Sequence, residues 1–107
     1  MKFKAGTSDD TKKEIFVKLD SLRLKDLGIL EMVHGSFNAN PTGAPGVNRG
    51  YTDGLVVTFE SVVGRNRYND DPDHQQILME DILPNLEGAK EGLLRFDFIE
   101  AMAKEVQ

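Results

Sequence analysis

Few side chains in these 107 residues are of a type that moves protons at neutral pH, and two of them stand close together. His74 is one of two histidines, and an imidazole titrates near neutrality, so it can take or give a proton under working conditions. Tyr68 precedes it in the stretch Tyr68-Asn69-Asp70-Asp71-Pro72-Asp73-His74, and a phenol can donate a hydrogen bond to an oxyanion as it develops. His74 is the candidate for proton transfer, and what ties Tyr68 to it as a catalytic pair is the resemblance given below. Simple packing of His74 at the start of a helix opened by Pro72-Asp73 accounts for the same residues. His34 alternates with Leu30 and Met32 and is expected on the helix-facing side of a strand, where a core histidine or a ligand contact would both fit. Asp53 and Arg95 share that side with Leu55 and Leu93, an arrangement suited to an ion pair or to clamping a ligand carboxylate; a salt bridge at the rim is the plain alternative. His34, Asp53, Leu55 and Arg95 are therefore the candidate ligand-binding set.

Other chemistries find no footing. There is no cysteine, hence no disulfide framework, thiolate zinc site, iron–sulfur cluster or thiol nucleophile. His34 has no partner at metal-ligand spacing. The acidic clusters Asp9-Asp10 and Asn69-Asp70-Asp71-Pro72-Asp73 lack the alternating acids, central glycine and distal glutamate of a calcium loop, and helix caps and turns explain them. No glycine loop cradles a phosphate ahead of a lysine, and neither a Gly-x-Ser-x-Gly elbow nor a His-Glu-x-x-His helix occurs. The expectation is a protein without metal or cofactor, and any reaction is expected to be cofactor-independent.

Composition narrows the partners. A chain of this length makes one core. With 39% hydrophobic and 29% charged residues it avoids both the disordered and the fibrous signatures. A net charge of −5 opposes nucleic acid and anionic membranes, both of which need a basic stripe. No apolar run approaches the ~20 residues of a membrane span. Met1-Lys2-Phe3-Lys4 leads into glycine and acids rather than an apolar run, so no signal peptide is expected and the cytoplasm is the expected location.

The elements that must position these residues follow from periodicity. Met1–Lys4 reads as the end of a strand. Thr7 and Ser8 can cap a helix, Asp9 and Asp10 suit its positive end, and Ile15, Phe16, Leu19 and Leu22 form its buried stripe, so a helix is expected to about Lys25, stopped by Gly28. Ile29–Phe37 reads as a strand with Leu30, Met32 and His34 on one face and Ile29, Glu31, Val33 and Gly35 on the other. Residues 38–49 are rich in Asn, Pro and Gly and read as an exposed loop. Tyr51–Glu60 is the strongest strand, with Leu55, Val57 and Phe59 on one side and Val56 and Thr58 on the other. Ser61 can cap a short helix to Tyr68, and Asp73 a second one from His74 to about Leu86, with Ile77, Leu78, Ile82 and Leu86 buried. Leu93–Ile99 reads as a last strand with Leu94, Phe96 and Phe98 on one face, and about 99–107 as a C-terminal extension. The sum is a single domain over 1–107 of α+β class, a ferredoxin-like β-α-β-β-α-β order with an antiparallel sheet and both helices on one face. That leaves Val33, Val56, Leu94, Phe96 and Phe98 on a bare apolar face, larger than a monomer normally exposes. A second copy packed sheet on sheet covers it with one self-complementary surface, so a homodimer is expected.

Gly50-Tyr51-Thr52, Val57-Thr58-Phe59-Glu60-Ser61, Tyr68, Asp71-Pro72-Asp73-His74 and Phe96-Asp97, in this order, resemble the stress-responsive dimeric α/β-barrel (Dabb) family along nearly the whole chain. The resemblance implies a dimeric α/β barrel. The family spans boiling-stable plant proteins that form higher oligomers, a plant polyketide cyclase and many bacterial members with no assigned reaction, so it does not choose a function. Its cyclase uses a Tyr-x-x-His-Pro-x-His stretch for acid–base work in a pocket between helices and sheet. Tyr68 and His74 match that spacing, while Asp71 stands at the first histidine. Family members also carry more strand ahead of the equivalent of Phe3-x-Lys, and a shorter loop than the one between Phe37 and Gly50. Three readings follow: a homodimeric stress-response or small-ligand-binding protein, the ligand being small and apolar or aromatic; a cofactor-independent enzyme, polyketide-cyclase-like or a related lyase or isomerase, using Tyr68 and His74 on a small carbonyl compound; and a cofactor-free monooxygenase of a related barrel family.

Overall fold

The computed structural model describes residues 1–36 and 49–99. The loop expected over 38–49 and the extension expected over 99–107 therefore lie, apart from Arg49 and Ile99, outside the described residues. Ser8 caps α1 (Asp9–Ser21) by accepting a hydrogen bond from the Thr11 N–H at 3.1 Å, and Asp9 and Asp10 occupy its first turn. A 3₁₀ turn over Leu22–Leu24 ends it. β1 (Ile29–Ser36) and β2 (Asp53–Phe59) pair antiparallel, with Met32 opposite Val57, Val33 opposite Val56 and His34 opposite Leu55. Ser61 caps α2 (Val62–Asp70), and α3 (Pro72–Gln76) runs on into a π-helical turn over Ile77–Ile82 and a 3₁₀ turn over Leu83–Asn85.

Both helical segments lie on one side of the two strands. Ile15, Phe16, Leu19, Leu22, Leu27, Met32, Tyr68, Ile77, Ile82 and Leu86 close into one core between helices and sheet. Burial in β2 alternates strictly, with Asp53 buried, Leu55, Val57 and Phe59 half-buried and Gly54, Val56 and Thr58 exposed, so the expected faces of this strand hold. Gly64 sets how closely α2 approaches: a Cβ there would lie 2.5 Å from the Leu27 carbonyl oxygen. That contact seats α2 against the turn at Gly28, whose φ of +67° suits glycine and whose carbonyl accepts the Glu60 N–H at 2.7 Å.

Four expectations are corrected. The ladder shifts register between Ile29 and Glu31, which leaves Leu30 as an extra residue, exposed, while Ile29 opposite Phe59 takes the helix-facing side. The second helix is capped by Asp71, not Asp73: its carboxylate accepts from the N–H of Asp73 and of His74, with Pro72 in the first turn where a missing N–H costs nothing. Met1–Lys4 forms no full strand; Phe3 makes a single bridge to Leu86, and the Met1 amine donates to the Asp53 carbonyl at 2.7 Å. The segment 93–99 begins extended at Leu93 but joins no ladder. The Lys2 N–H bonds the Gly92 carbonyl at 2.8 Å, and among the described residues no backbone hydrogen bond ties 94–99 to another segment.

Candidate functional site

Tyr68 sits in the last turn of α2 one helical turn after Gly64, so both face the core. Asp71 then turns extended, with ψ at 128°, as a residue before proline prefers. The break restarts the helix in a new direction, and His74, the third residue after the cap, lands against Tyr68. The two ring centroids are 4.0 Å apart at an interplanar angle of 36°, and Phe59 meets Tyr68 edge-on at 5.3 Å. The sequence-derived pair is thus brought together by a cap and a proline. Lys25 fastens the arrangement from outside, its Nζ lying 2.7 Å from Asp71 Oδ2 and 2.6 Å from Asp73 Oδ2.

The electrostatics keep both groups of the pair neutral. Burial pushes the Tyr68 phenol up to about 12, against a smaller opposing pull from the Arg95 charge. Burial also lowers His74, and the Arg95 charge adds to it, while the Asn69 carbonyl and the Asp71 carboxylate act the other way. Asp71 is held below the usual carboxylate range, first by its hydrogen bond from Lys25. His74 Nδ1 is buried and has no hydrogen-bond partner. A neutral imidazole with a free buried nitrogen beside a protonated phenol is the equipment of a general base and an oxyanion donor. The rings are packed on each other, however. Two open clefts lie elsewhere, one lined by Leu27, Val63, Asn66, Arg67, Asp70 and Asp71 and the other by residues including Lys18, Lys25, Asp73 and Asp81.

The four ligand-binding candidates do not converge. His34 is exposed rather than core, and it stacks flat on Phe16 at 4.6 Å and 7°; Leu55 is half-buried opposite it. Asp53 is buried at 4% exposure, accepts from the Thr52 hydroxyl at 2.7 Å and has Lys12 Nζ 3.7 Å from Oδ1, while Oδ2 is buried without a partner. Arg95 is not its counter-ion. It donates instead to Asn69 Oδ1 at 3.0 Å and lies 3.9 Å from Asp97, which puts it beside Tyr68 and His74. Asp53 and Arg95 thus belong to opposite ends of β2, the first at its start and the second near Phe59's partner ring. Sequence reasoning missed Lys25, Phe59 and Asn69 as parts of the Tyr68–His74 cluster; only Phe59 had a signal, its place on the helix-facing side of β2. Among the described residues no group of histidines, aspartates and glutamates is gathered as metal ligands, and no helix is long and apolar enough to cross a membrane.

Comparison with known proteins agrees with this architecture. A family profile described as "Stress responsive A/B Barrel Domain", Dabb, matches residues 1–100. No curated protein matches significantly. Among solved structures, a dimeric ferredoxin-like protein of unknown function from Jannaschia sp. CCS1 superposes with a TM-score of 0.79 at 21% identity, over 94% of this chain and 92% of that one. The α+β, ferredoxin-like class expected from the order of elements is the class of that neighbour.

Proposed function

Because the chain belongs to the stress-responsive A/B barrel (Dabb) family, we propose that it works as a homodimer, two sheets closing face to face into one barrel, as a stress-response or small-ligand-binding protein of the cytoplasm. The carrying observation is the apolar surface left without cover. Val33 and Val56, directly paired on the outer sheet face, are 54% and 57% exposed, and Leu94, Phe96 and Phe98 are 66%, 75% and 74% exposed. Water contact over that much apolar surface is unfavourable by roughly 25 cal/mol per Å². The structural neighbour is itself described as dimeric, which supports a second copy as the cover. Light scattering at micromolar concentration is the test: the expected mass is twice 11.9 kDa, and a monomer contradicts the proposal.

A second reading is favoured by one specific observation, the partnerless, buried Nδ1 of His74 beside the Tyr68 phenol. In it the same barrel binds, and in the enzyme case transforms, a small carbonyl compound between helices and sheet. His74 takes a proton and Tyr68 donates to the developing oxyanion. His74→Ala tests the second reading: it is expected to abolish turnover of a small carbonyl compound while the dimer stays intact, and unchanged turnover contradicts it.

A further inference from the structure

We propose that the groove between β2 and the segment 94–99 is a strand-addition site, which takes an extended segment of another polypeptide, about six residues long and apolar on both sides. The groove starts at Met1. Its amine donates to the Asp53 carbonyl at 2.7 Å and its carbonyl accepts the Asp53 N–H at 3.4 Å, at the start of β2. On the other side the Lys2 N–H reaches the Gly92 carbonyl at 2.8 Å. Met1 and Lys2 thus hold the two flanks one strand away on each side, about 10 Å from each other. β2 leads through Ser61 into α2, and Arg95 and Asp97 reach Asn69 and Arg65 of that same helix. Both flanks therefore leave Met1 and Lys2 in one direction, and a single strand can run antiparallel to both.

Backbone groups are what this groove offers. Gly54–Phe59 pairs with β1 along one edge, and among the described residues no backbone bond reaches its other edge. The segment 94–99 has no backbone bond to any described residue. An unpaired edge is a template for a further strand, and two such edges at twice the strand spacing pair both sides of one.

Side-chain exposure agrees. Leu55, Val57 and Phe59 face the helices yet are only half-buried, and every residue of 94–99 is exposed, on both faces of the segment. A strand laid between the flanks covers the near side of each. Its inner residues meet the core beside Leu55, Val57 and Phe59, and its outer ones continue the apolar surface of Val56 and Phe96, which is why both its sides are apolar. A second copy stacked on the outer face presents side chains to this sheet rather than backbone groups, so it leaves both rows unpaired. The strand-addition site is thus independent of the dimer.

The test is an amide-resolved NMR titration, with hydrogen exchange, of the isotope-labelled full chain. The probes are the blocked peptide acetyl-Lys-Val-Ile-Val-Leu-Val-Lys-amide and the same peptide with proline in place of its Ile and Leu. The first is expected to shift the amides of both 54–59 and 94–98 and to slow their exchange at least about tenfold, and the proline peptide, lacking ladder donors, to bind at least about tenfold more weakly. Equal binding of the two peptides overturns the proposal in favour of plain apolar adhesion, and a response in one row alone, or in neither, overturns the two-edged groove. Slow exchange of both rows before any peptide is added also overturns it, because a second copy would then already pair them.

Discussion

Burial keeps the His74 imidazole neutral, so a proton that the folded protein resists is taken up by the unfolded chain. The folded group titrates below its ordinary value of 6.5, with burial as the first cause. The contribution is therefore constant above pH 6.5 and is lost as the pH falls below it towards the lowered folded value. The urea midpoint of wild type should fall between about pH 7.5 and about pH 5.5, the unfolded imidazole gaining its proton there, and the fall should shrink in His74→Gln; an identical fall in both proteins would contradict the neutral, buried imidazole. Tyr68 moves the other way. Raised to about 12 from 10.0, it stabilises fully below pH 10 and loses that contribution as the pH rises past it. Only two tyrosines occur, so Tyr51→Phe leaves Tyr68 alone in the 295 nm absorbance, where phenolate should appear near pH 12; a midpoint near 10 in the folded protein would refute its burial. The pair itself was legible in the sequence through the resemblance of Tyr68-x-x-Asp71-Pro72-x-His74 to the family's stretch, and the spacing survives in the fold because both members ride on one local feature, a helix broken before a proline. Arg95 was not, because its place beside them depends on where a segment without ladder contacts comes to rest.

Caps and close approaches decide how the helices carry the pair. Asp71 accepts two backbone N–H groups at the start of α3 and is the residue between Tyr68's helix and His74's. Asp71→Ala should cost about 1–2 kcal/mol, as loss of a helix cap does, and should disorder the Tyr68–His74 contact. Asp73→Ala, which removes only an exposed contact to Lys25, should stay within about 0.5 kcal/mol of wild type. Equal losses in chemical denaturation would return the cap to Asp73. The sequence pointed to Asp73 because any acid just ahead of a helical stripe is a good cap; the decision for Asp71 comes from Pro72, which is already in the first turn. The same asymmetry explains β1. Apolar alternation showed the strand but not the extra residue at Leu30, since a bulge changes the facing of Ile29 without changing which residues are apolar. At the edge of the sheet the pattern Leu94, Phe96, Phe98 reads as a strand, and whether it joins a ladder depends on a neighbour rather than on its own side chains.

At the scale of the whole molecule, what has to be explained is why a small acidic chain carries phenylalanines and valines on its outside. Phe96 is 75% exposed and Val56 57% exposed in the single chain, so neither contributes much to the stability of one copy. Their worth lies in what covers them. Phe96→Asp or Val56→Asp should then leave helix content and the monomer's unfolding midpoint near those of wild type, because no core contact is lost. Association should weaken by at least about 3 kcal/mol, more than about 100-fold in dissociation constant, because a carboxylate would enter an apolar interface without a partner. Salt offers the complementary check: exposed charge pairs are screened within about 10 Å at 0.1 M, whereas apolar contact is not. The dimer fraction of wild type in sedimentation should therefore hold between about 0.1 M and about 1 M sodium chloride. A dimer that dissolves in salt and survives both substitutions would place the interface on the charged helical side instead, away from the bare sheet face.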